Sequence, residues 1–118
     1  MKDELVRLQQ WGCDVIGSLP RFVQDEEFLM ECIEEVARDP AFDTLGAQLE
    51  RGELRQAFDT AHMLKGIIAN TGLTPLLREI VGIVEPLRAG SDEGAAQHYT
   101  LLMSRRSELL SLLRPDEA

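Results

Sequence analysis

His62, one of only two histidines, is followed at three and four residues by Lys65 and Gly66. A neutral imidazole keeps a lone pair on one ring nitrogen, which makes it a nucleophile able to attack phosphorus. A lysine one turn away brings positive charge to the same side, where it attracts an oxyanion such as a phosphoryl group. Glycine at the i+4 position removes the side chain that would shade the imidazole, at a cost of about 1 kcal/mol relative to alanine inside a helix. That cost suggests that something needs the room. An ordinary solvated helix face also carries exposed histidines and lysines, with Lys65 then a solubilising charge, but an interior glycine is harder to place in that reading.

These residues act together only if a helix presents them on one side. Advancing about 100° per residue puts Leu54, Ala57, Ala61, Leu64, Ile68 and Thr71 in one sector, the core face. His62 falls roughly 150° from the centre of that sector. Arg55, Asp59, Gly66 and Ala69 lie nearest to it, and Lys65 lies on its flank. Phe58, Ala69 and Leu73 are candidates for a docking face around the imidazole, and each could instead form the rim of the core. Asn70, roughly 80° from His62, suits a structural role. The helix is expected from Glu53 to about Thr71, with Gly72 as its left-handed cap.

The flanking sequence supplies helices to pack against it. Leu5, Val6 and Leu8 suit a short helix over 3–10 lying across the end of a bundle, closed by Trp11 and Gly12. A second short helix over about 13–19 buries Val15, Ile16 and Leu19 before Pro20 turns the chain. Asp25 caps a helix over 25–38, with Phe28, Leu29, Cys32, Ile33, Val36 and Ala37 as its apolar stripe and Cys32 in the core. Asp39-Pro40 breaks or restarts it, and Phe42, Leu45 and Leu49 carry an inward face to Gly52. Thr74 caps and Pro75 starts the next helix, ended by Gly90. Ser91 starts the last one, which contains His98 beside Leu101 and Leu102, a histidine expected to be structural or simply exposed. From Pro115 the acidic end is expected to fray. The pattern has no alternating strand signal and no repeat. It predicts a single all-α domain over 1–118, an antiparallel four-helix bundle with additional short N-terminal helices and a bundle core about 25–114.

Composition narrows the partners. The formal net charge is −9, from 21 acidic against 12 basic residues, which opposes binding to nucleic acid or to an anionic membrane surface. Cys13 and Cys32 form no C-x-x-C spacing and read as reduced thiols. Met1 to Leu5 lacks the apolar run of a secretory signal, and no apolar stretch is long enough to span a bilayer, so a cytoplasmic location is expected. The initiating Met1 and acidic end suit a free-standing protein. There is no G-x-x-x-x-G-K-[ST] loop for a nucleotide. His62 has only Asp59 nearby as a second metal ligand, too few for a structural zinc site. Acid-base catalysis on a small anion would need a water-excluding pocket that the convex face of one helix does not offer.

The order His62-x-Leu64-Lys65-Gly66, followed by Asn70 and Gly72, resembles the signature of histidine-containing phosphotransfer (HPt) domains of two-component phosphorelays. Gly17-Ser18-Leu19-Pro20-Arg21-Phe22 and Asp25-Glu26-Glu27-Phe28-Leu29 look like the family's amino-terminal helix region. Ile67 is bulkier than the serine or alanine often found after the glycine, a departure that bears on partner preference or local packing. The resemblance implies that His62 accepts a phosphoryl group from a phospho-aspartate on a response-regulator receiver domain and passes it to another receiver. It implies Lys65 as support for the phosphoryl oxygens and Gly66 as clearance for the receiver. The domain would then be a transfer intermediate rather than an enzyme in its own right. No cofactor is expected on this chain, since the receiver would supply magnesium and most of the catalytic groups. A hybrid sensor histidine kinase is a further expected partner, and a monomer is the simpler expectation. The alternative is an HPt-like adaptor that binds a receiver or kinase without transferring phosphate.

Overall fold

In the computed structural model, which describes residues 1–114, apolar stripes and turn residues cut the chain into seven α-helices and one 3₁₀ turn. The helices are α1 (Asp3–Trp11), α2 (Val15–Ser18), α3 (Glu26–Ala37), α4 (Ala41–Glu50), α5 (Leu54–Asn70), α6 (Thr74–Arg88) and α7 (Ala95–Leu113), with the 3₁₀ turn over Leu19–Phe22. The described residues contain no strand, and the architecture is an all-α bundle. Its legs are the broken pair α3 and α4, then α5, α6 and α7. The most extensive packing runs between α5 and α6, α6 and α7, and α4 and α5.

Local chemistry explains the boundaries. Asp25 accepts a hydrogen bond from the Phe28 amide at 3.0 Å and starts α3 as its side-chain cap. Gly72, at φ +71°, reverses the chain after α5. A Cβ there would collide with Ser18 Oγ and with the Asp14 carbonyl oxygen at 2.6 Å, so this glycine is required by close packing as well as by its backbone angle. The Gly72 carbonyl in turn accepts from the Asp14 amide at 2.8 Å, tying the amino-terminal segment to the α5–α6 turn.

Two helix starts differ from the sequence expectation. α6 has Leu73, not Thr74, as its cap residue, and Thr74 lies already in the first turn. α7 begins at Ala95 rather than Ser91, because the Ser91 hydroxyl accepts from the Glu93 amide in a local turn and Gly94 sits at φ +75°, outside helical space. Cys32 departs from its expected place in the core. Cys13 is buried and its thiol is pushed up to about 12 by desolvation, whereas Cys32 is half-buried at the edge of α3. The amino-terminal helices are part of the core, since Leu5, Leu8, Val15, Leu19 and Phe22 are buried with the bundle residues. No helix of the described residues is long and apolar enough to cross a membrane. The expectation for Pro115 onward lies outside the described residues.

Candidate functional site on α5

Ala57, Ala61, Leu64 and Ile68 of α5 are fully buried against the neighbouring legs, which fixes the rotation of the helix. His62, Asp59, Gly66 and Ala69 consequently emerge on the exposed side, and Lys65 is half-buried on the flank. The imidazole stacks on the Phe58 ring one turn earlier, with centroids 5.5 Å apart and planes 9° from parallel. Among the described residues no hydrogen bond to either ring nitrogen accompanies this stack. The ring is therefore oriented by an apolar surface while its nitrogens are left to solvent.

Gly66 faces open space. A Cβ built on it meets nothing within 4 Å, so no neighbour inside the molecule demands glycine here. Gly46 and Gly82 differ, since each sits under a side chain of α7, Tyr99 and His98 respectively. Gly66 bears the helical cost of glycine without internal compensation.

Leu73 is a correction to the expected docking face. Extending the α5 wheel to position 73 would bring it beneath His62, but the helix ends at Asn70 and left-handed Gly72 redirects the chain. The Leu73 amide then donates to the Ile68 carbonyl at 3.1 Å, and its side chain is fully buried. Phe58 is half-buried, so it presents one ring face to His62 and contributes to the rim, while Ala69 and Asp59 remain exposed.

α6 brings two residues to the site that sequence reasoning missed. Lys65 Nζ lies 3.8 Å from Glu85 Oε1, and Glu85 Oε2 lies 3.6 Å from Arg88 Nε. The Arg88 guanidinium stands 5.3 Å from the centroid of Phe58. His62, Phe58, Arg88, Glu85 and Lys65 are thus linked by contacts that run across α5 and α6. A signal for this existed in the numbering. In an antiparallel hairpin turning at Gly72, positions about equidistant from the turn face each other, and 58 with 88 and 65 with 85 are centred on 73 and 75, close to it.

Arg21 was also missed as a structural support. Its guanidinium donates to the Asn70 and Ala69 carbonyls at 3.1 and 3.3 Å, and to the Gly17 carbonyl and Ser18 hydroxyl at 3.2 and 3.1 Å. It satisfies the carbonyl end of α5, where cations are favoured. Asn70 therefore serves the helix end through its backbone. His98 is remote in role: its Nδ1 lies 3.7 Å from Glu79 Oε2, and its ring packs against Gly82 between α6 and α7.

Chemically, the arrangement offers an accessible imidazole nucleophile, a cation one turn away and open ground on the outer side. Among the described residues no three His, Cys, Asp or Glu side chains converge as a metal site. No protein-family model, no curated protein and no solved structure matches this chain.

Proposed function

We propose that this protein is a phosphotransfer intermediate of the HPt type in a two-component phosphorelay. A ring nitrogen of His62 attacks the phosphorus of a receiver's phospho-aspartate. The N–P bond forms as the acyl-phosphate O–P bond breaks, and the receiver's carboxylate is regenerated. A second receiver aspartate then reverses these bond changes and takes the group. Lys65 faces the phosphoryl oxygens and offsets their charge, while the receiver supplies magnesium and most of the catalytic groups. The observation that carries the reading is the exposed, stacked imidazole beside a glycine that no internal neighbour requires. Docking involves Gly66, Ala69, Asp59 and the rim of Phe58. A cytoplasmic, monomeric shuttle fits a site that must meet more than one partner in turn.

The test is intact-mass analysis after mixing the protein with magnesium and a panel of phosphorylated receiver domains, at neutral to alkaline pH because phosphohistidine is acid-labile. A gain of one phosphoryl group in the wild type and none in His62→Gln is expected. Binding to a receiver without any mass gain would replace this reading with that of a non-transferring adaptor.

A further inference from the structure

Two cations share one carboxylate across α5 and α6. Lys65 and Arg88 both approach Glu85, at 3.8 and 3.6 Å, distances beyond the usual range of a charge-assisted hydrogen bond. The three side chains are between 33% and 53% exposed, so these pairs are weak and readily exchanged. Lys65 belongs to the same helix as His62, one turn on. Glu85 is the acidic group that the structure pairs with Lys65, while Asp59 lies on the exposed side of α5.

We propose that Glu85 is a resting counterion for the phosphoryl site, holding Lys65 while His62 is bare and yielding it to the phosphoryl oxygens once His62 is loaded. This inference rests on the function proposed above. A phosphoryl group carries nearly twice the charge of a carboxylate and three acceptor oxygens, so it outcompetes Glu85 for the lysine. Glu85 and the phosphoryl group compete for one lysine, so the share of Lys65 that Glu85 retains raises the cost of the phosphoryl dianion. Such a residue keeps the loaded state from becoming too stable for onward transfer. Glu85 is thus a positioning residue that acts through Lys65.

The experiment loads the whole protein with a phosphoramidate. The His62 nitrogen forms its N–P bond as the donor's P–N bond breaks and ammonia departs. The ³¹P resonance, assigned to His62 by its loss in His62→Gln, is titrated in the wild type, Glu85→Gln, Lys65→Met and the double variant, with helix content checked by circular dichroism. Glu85→Gln is expected to make the second ionisation of the phosphoryl group about two- to fivefold easier, and Lys65→Met to make it harder. The effect of Glu85→Gln should shrink when Lys65 is absent. An unmoved midpoint in Glu85→Gln, or an equal shift with and without Lys65, would overturn the proposal. Loading by the small donor but by no receiver would instead sink the relay reading, so the two failures are distinct.

Discussion

Replacing Gly66 by alanine and, separately, by leucine sets stability against access. A Cβ at this position meets nothing within 4 Å, so alanine should gain the whole helix-propensity difference, about 1 kcal/mol. Unfolding entropy of about 2.1 cal/mol/K per residue, over 118 residues, gives roughly 0.25 kcal/mol/K. The melting temperature of Gly66→Ala should therefore rise by about 4 °C. Gly66→Leu should retain most of that gain. Helical side chains lean toward the amino terminus, however, so the added isobutyl group would lie over the turn that carries His62. Transfer from a phosphorylated receiver should then fall at least about tenfold, equivalent to about 1.4 kcal/mol in the transition state. Scanning calorimetry and a time course of phosphoryl transfer measure the two effects on the same samples. Gly66→Leu transferring at the wild-type rate, or Gly66→Ala melting lower than the wild type, would refute the reasoning that this glycine serves an external approach.

Arg21→Met should destabilise the protein by about 1–2 kcal/mol, since the exposed guanidinium bonds four acceptors and closes the end of α5, and urea unfolding would detect it. Gly72→Ala should cost about 2–4 kcal/mol, because the positive φ and the contacts with Ser18 and Asp14 both oppose a Cβ; an unchanged urea midpoint would contradict this. The buried Cys13 thiol, raised to about 12 from 9.0, favours the folded state only while the unfolded thiol stays protonated. Its contribution is full below pH 9 and is lost as the pH rises from there toward about 12. Urea unfolding should show a shallower alkaline decline in Cys13→Ala, and an identical slope would remove the claim.

The helices were legible because their signals were local and redundant. The buried sector of α5 contains the alanines, Leu64 and Ile68 that the wheel selected, and Asp25 caps α3 as its spacing suggested. Helix starts at α6 and α7 were less legible, because Thr74 and Ser91 have the right chemistry for caps but neighbouring glycines with positive φ decide where helical geometry begins. Leu73 misled for the same reason: the wheel holds only as far as the helix does. Cys32 fell within an apolar stripe yet lies at its margin, beside Glu35 and Glu31, which add to the upward push that desolvation gives its thiol. The exposed side of α5 could be placed from one helix alone. Its contacts with Glu85, Arg88 and Arg21 depend on tertiary pairing, which periodicity within a single element does not encode.

The relay itself is tested most directly in a single mixture of one phosphorylated receiver, this protein and a second, unphosphorylated receiver, with magnesium present. The phosphoryl group is followed by intact mass on all three chains over time. It is expected to leave the first receiver, appear transiently on the wild-type protein and accumulate on the second receiver, with no such passage when His62→Gln is used. Arrival at the second receiver at the same rate with His62→Gln, or in the absence of this protein, would contradict a role for His62 as the carrier.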